Sequence, residues 1–96
     1  MKAYLVLDFE VTHLRDFMAY VAAIPAHIGR HGGRYVVQGA KPTVVEGDWR
    51  PQRLVVIEFP SRADAEAFLA DPDCRTLFEV RRRTTISRLV LVDGPP

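Results

Sequence analysis

Apolar and polar positions alternate at the start of the chain. In residues 2–9, Ala3, Leu5, Leu7 and Phe9 form one apolar row and Tyr4, Val6 and Asp8 a mixed row opposite, which predicts a strand. The period then becomes helical. Leu14, Phe17, Met18, Val21 and Ile28 recur as one stripe expected to be buried, with Thr12 as the N-cap. Pro25 falls inside this stretch and lacks a backbone donor, so it is expected to kink the helix or divide it. His31-Gly32-Gly33 ends it, because glycines supply the positive φ angles that a helix end and turn require.

A second strand is predicted at residues 34–38, ending at Gly39. Residues 40–51, with Pro42, Gly47, Trp49 and Pro51, read as a long ordered hairpin connection with room for a short extension at Thr43 to Glu46. The third strand, residues 53–59, sets Val55, Ile57 and Phe59 on one face and Leu54, Val56 and Glu58 on the other. Ser61 with Asp64 resembles a capping box, opening a helix through Ala65, Phe68 and Leu69. Asp71-Pro72 restarts the chain as cap and first-turn proline, with Leu77, Phe78 and Val80 continuing helically. Residues 86–92 are the last strand, and Gly94-Pro95-Pro96 reads as a disordered end.

The order β-α-β-β-α-β within one domain, residues 1–96, predicts an α+β fold. With right-handed crossovers it is the ferredoxin-like arrangement, an antiparallel sheet with two helices on one face. The other face then carries Tyr4, Val6, Leu54 and Val56, too apolar for open water. Fully burying each such side chain is worth about 1.5–3 kcal/mol. A chain of 96 residues has little material to cover it, so a second copy in a two-fold dimer is the expected cover. The alternative is a C-terminal tail folded back over the face, and the tail is short and proline-rich.

Composition narrows the function classes. Thirteen basic and twelve acidic residues give a net charge of +1, too even to suggest a nucleic-acid or anionic-membrane partner. The third strand is aliphatic where RNA-recognition sheets carry stacked aromatics. No stretch approaches the roughly 20 apolar residues of a membrane span. Asp8 and Glu10 interrupt any signal-peptide core, and a cytoplasmic location is expected. Cys74 is the only cysteine, so neither an internal disulfide nor a Cys-rich metal site is expected. His13 and His27 lack the i, i+4 spacing of a helical metal pair; no metal and no cofactor is expected.

Candidate chemistry gathers on a few residues. Glu58, mid-strand on the open face, is the best candidate for proton transfer with Tyr4 beside it, unless a cross-strand partner such as Arg88 makes it structural. His31 is a candidate general base, since imidazole is the side chain suited to proton transfer near neutral pH, and at a helix end it also suits C-capping. Arg34 and Arg53 flank the hairpin, and antiparallel pairing of strands one and three would bring Asp8 near Arg53; the group suggests a charged cluster binding a small carboxylate or phenolate, or an ion pair that orders the loop. Trp49 reads as an anchor for a dimer mate or a ligand, or as a lid on its own subunit. Arg81-Arg82-Arg83 reads as a solvated helix end.

The run Glu46-Gly47-Asp48-Trp49-Arg50-Pro51-Gln52-Arg53, continuing to Ser61, with His31-Gly32-Gly33-Arg34 upstream, resembles the domain of unknown function 1330. That family belongs to the dimeric α/β-barrel superfamily, and the resemblance spans nearly the whole chain. It implies the ferredoxin-like fold and homodimerisation but no defined reaction. One departure lies in the second helical region, where Phe68 and Cys74-Arg75 stand in place of an aromatic-rich segment. The expected function is a homodimer holding a small organic molecule in a cavity beside the dimer interface. The alternatives are a cofactor-independent isomerase or monooxygenase, and a non-catalytic structural or protein-binding dimer.

Overall fold

The first strand, β1 (Ala3–Val11), buries Ala3, Leu5, Leu7 and Phe9 and leaves Tyr4, Val6 and Asp8 half-buried, as alternation requires. It is followed by α1 (Leu14–Arg30), β2 (Arg34–Ala40), β3 (Arg53–Phe59), α2 (Arg62–Ala70), a 3-10 turn at Pro72–Cys74, α3 (Arg75–Thr84) and β4 (Thr85–Asp93). The computed structural model describes all 96 residues. One antiparallel sheet runs β2-β3-β1-β4, the ferredoxin-like order. No helix is long and apolar enough to cross a membrane.

The second crossover is two helices, because Asp71-Pro72 restarts the chain between them as its cap and first-turn proline predict. Asp71 caps the 3-10 turn by accepting the Asp73 N–H at 2.8 Å, and α3 starts afresh after Cys74. Ser61 caps α2 as the sequence suggests: its Oγ accepts the Asp64 N–H at 3.1 Å and donates to Asp64 Oδ2 at 2.8 Å. The α1 start differs from expectation. Thr12 Oγ1 bonds His13 Nδ1 rather than capping, while the Thr12 and His13 N–H groups donate to the Thr84 carbonyl at 2.8 and 3.3 Å. Pro25 does not divide α1, which runs as one helix of 17 residues.

Gly32 and Gly33 serve different ends. Gly32 takes φ 75°, and Gly33 allows close packing: a Cβ there would lie 2.7 Å from the Phe59 ring and 2.8 Å from Ile28. Around that junction sits the main core, with Phe59, Phe68 and Phe78 in a chain of aromatic contacts at 5.4 and 5.3 Å. A smaller cluster of Leu7, Phe9 and Phe17 lies at the other end of the sheet. Arg81, predicted to be solvated, is only 7% exposed and donates to Ser87 Oγ at 3.0 Å.

Every helix packs on one face of the sheet. The opposite face carries Tyr4, Val6, Leu54 and Val56 with Ile86, Val90 and Val92 from β4. Ile86, Val90 and Val92 are 66%, 59% and 49% exposed, and the C-terminal tail does not cover them. It is tied instead to the strand start, where Gly94 N–H donates to the Lys2 carbonyl at 2.7 Å.

Candidate functional site

The helix-covered face holds a cavity of about 280 Å³ between α1 and strands β1, β3 and β2. Twelve of its fifteen lining residues are hydrophobic, so it suits an apolar guest. The walls explain a departure from the predicted burial of α1. Phe17 and Ile28 are buried, but Leu14, Met18 and Val21 are 64%, 52% and 39% exposed. These three sit at the cavity, where the helix face turns toward a space rather than a neighbouring side chain.

The polar groups at this cavity are few. Arg53 and Gln38 line it with the phenols of Tyr20 and Tyr35. Burial pushes the Tyr20 pKa up to about 12 and raises that of Tyr35, so both phenols stay protonated at neutral pH and act as hydrogen-bond groups. Arg53 Nη1 donates to the Gly39 carbonyl at 3.2 Å, and the guanidinium has no carboxylate partner. Of the residues singled out in the sequence, Arg53 alone lines this cavity. Tyr20 falls three residues after Phe17 on the helical stripe, a spacing that could have flagged it.

The remaining candidates separate into three groups. At one end of the open face, the strand register sets Glu58 opposite both Tyr4 and Arg34. Tyr4 Oη donates to Glu58 Oε2 at 3.0 Å, Arg34 Nε donates to Oε1 at 3.0 Å, and Lys2 Nζ lies 3.2 Å away. The hydrogen bond from Tyr4 is the main cause holding the Glu58 carboxyl below its usual range, and the same bond raises the Tyr4 phenol. Arg88 is not the partner of Glu58; it stands opposite Asp8.

Toward the other end, Trp49 Nε1 donates to Asp8 Oδ2 at 2.8 Å, which pins the β2–β3 connection over the sheet. The expected Asp8–Arg53 pairing does not form. Phe9, not Asp8, stands opposite Arg53, so the two charges emerge on opposite faces. Trp49 and Asp8 line a polar hollow of about 490 Å³ with Arg88 and Asp48. Trp49 is 54% exposed, so it is no closed lid on its own subunit.

His31 lies away from both. Its Nε2 is 2.8 Å from Asp71 Oδ2, and that hydrogen bond is the main cause lowering the Asp71 carboxyl pKa. Beside it, His27, Asp71 and Cys74 bring one metal-ligating atom each within 4.8 Å of one another. Cys74 is fully buried, and burial raises its thiol pKa.

Known proteins agree with the fold. The chain is similar to a protein of unknown function, RPA0582 from Rhodopseudomonas palustris, at 19% identity and a TM-score of 0.77, covering 99% of this chain and 83% of that one. It is similar at 11% identity and a TM-score of 0.74 to a dimeric ferredoxin-like protein of unknown function from Jannaschia sp. CCS1, covering 98% and 100%. SnoaB, a cofactor-independent oxygenase from Streptomyces nogalater, is similar at 17% identity and a TM-score of 0.68, covering 99% and 94%. No curated protein matches the chain. The family model for the domain of unknown function DUF1330 matches residues 2–95, nearly end to end, and the chain belongs to that family.

Proposed function

We propose that this protein is a homodimer that binds a small, flat, apolar molecule carrying one acidic oxygen, a carboxylate or phenolate, in the cavity under α1. The observation that carries this reading is the Arg53 guanidinium, which has no carboxylate partner, at the wall of a mainly apolar cavity. At about 280 Å³ the space lies at the small end of ligand pockets, which suits a molecule of one or two rings. A charge-assisted hydrogen bond from Arg53 fixes the acidic end while the α1 stripe covers the ring. The second copy covers the open face of this chain; the similar Jannaschia protein is dimeric. There the Glu58–Tyr4–Arg34 group and the Trp49–Asp8 pair form the polar ends of the contact, and His31 holds Asp71.

A thermal-shift and NMR screen of aromatic carboxylates and phenolates tests the binding. Arg53→Ala should weaken a hit about 10–100-fold, the worth of a hydrogen bond to a charged group. Val21→Trp should fill the cavity and abolish binding with the fold intact by circular dichroism. Hits indifferent to both substitutions would place the ligand elsewhere.

The likeness to SnoaB favours a second reading, cofactor-independent oxygenation of the bound molecule. No carboxylate, imidazole or thiol lines the cavity, and its phenols hold their protons. An enzyme built on it would orient a substrate that ionises by itself rather than deprotonate it. Oxygen uptake on adding a confirmed ligand separates this reading from binding alone.

A further inference from the structure

We propose that His27, Asp71 and Cys74 form a divalent-metal site of zinc-like ligand preference, with His31 as its positioning residue. Two segments distant in sequence build it. His27 and His31 stand one helical turn apart at the end of α1, so their imidazoles emerge on one side. Asp71 caps the Pro72–Cys74 turn, whose Cys74 N–H donates to the Asp71 carbonyl at 3.0 Å, bringing carboxylate and thiol together.

The donor atoms already lie within 4.8 Å of one another. Tetrahedral zinc, with bonds of about 2.0–2.3 Å, needs donor separations of roughly 3.3–3.7 Å. Closing the difference takes a shift of about an ångström, and His27 and Asp71, both half-buried, are the donors with room to rotate toward the buried Cys74. A thiolate, an imidazole and a carboxylate suit zinc or cobalt, whereas magnesium and calcium take oxygen ligands.

Two further observations support a cation here. The guanidinium of Arg30 bonds His27 Nδ1 and lies 3.9 Å from Asp71 Oδ2, so a positive group already occupies the mouth of the cluster. An arginine can only donate, so His27 Nδ1 is unprotonated there, and its lone pair becomes available to a metal once Arg30 moves away. Arg30 is 53% exposed on its side chain and free to swing outward. The Asp71 carboxylate is also oriented in advance: Oδ2 bonds His31 at 2.8 Å and Oδ1 accepts the Asp73 N–H at 2.8 Å. Three protein ligands leave the fourth position to water on the Arg30 side.

The test is titration of the chelator-treated, reduced protein with cobalt and zinc. One cobalt per chain should bind with a thiolate-to-cobalt charge-transfer band that zinc bleaches. His27→Ala and Cys74→Ser should abolish the band, His31→Ala should weaken binding about 10–100-fold, and Arg30→Ala should tighten it. Cys74 is fully buried, so if Cys74→Ser misfolds by circular dichroism the half-exposed His27→Ala decides. Absence of the band in the wild-type protein at micromolar metal, or a band that survives His27→Ala, would overturn the site.

Discussion

Glu58 shows how far a single side chain can be read from its surroundings. Its carboxylate takes hydrogen bonds from Tyr4 and Arg34 and has Lys2 at 3.2 Å, and it is held below its ordinary value of 4.5. A carboxyl whose folded pKa is depressed binds fewer protons than in the unfolded chain, so its contribution is fully present above the ordinary value. It is lost as the pH falls through the folded pKa. Chemical denaturation from pH 7 down to pH 3 should show stability falling more steeply in the wild type than in Glu58→Gln. Identical acid limbs would remove Glu58 from the account. The sequence placed Glu58 and Tyr4 on the correct face, because strand parity decides that. It could not pair Asp8 with the right residue, because a one-position difference in register moves a side chain to the other face. Nor could it join His27 to Asp71 and Cys74, since that meeting depends on how two helices end forty positions apart, at Arg30 and Ala70.

Among the elements, the caps were legible and the breaks less so. Ser61–Asp64 and Asp71-Pro72 act as their local chemistry predicts, because capping involves only neighbours in the chain. Pro25 did not break α1, because Phe17, Ile24 and Ile28 bury on either side of it and hold the helix to the sheet. That arrangement is costly, since the Val21 carbonyl loses its helical donor. Replacing an interior helical proline is worth up to about 3 kcal/mol, reduced by about 0.4–1 kcal/mol of added unfolded-state entropy. Pro25→Ala should therefore stabilise the protein by roughly 1–2 kcal/mol in urea melts, since the helix has already relaxed around the ring. A destabilised variant would mean that the ring itself packs usefully. The apolar stripe of α1 was legible as a stripe, but not its division into a buried half and a half that borders a cavity. That division depends on where the strands leave space under α1, which β1, β2 and β3 set together.

The whole molecule is a sheet with two unlike faces. Three helices cover one face, enclosing a core at one end and a cavity at the other. Alternation along β1 and β3 foretold that both faces would be apolar, and the structure leaves Ile86, Val90 and Val92 of β4 exposed on the side without helices. The position of the cavity was not legible. The sequence suggested a site beside the subunit contact, whereas the apolar space lies on the helix face, formed by side chains from four separate elements. The open face therefore has one task in this account, which is to meet a second copy. Sedimentation equilibrium of the wild type beside Val90→Glu, at micromolar concentration, tests this most directly. The wild type should sediment at twice the 10.8 kDa chain mass, and the variant at the mass of one folded chain. A wild-type protein at the single-chain mass throughout that range would contradict it.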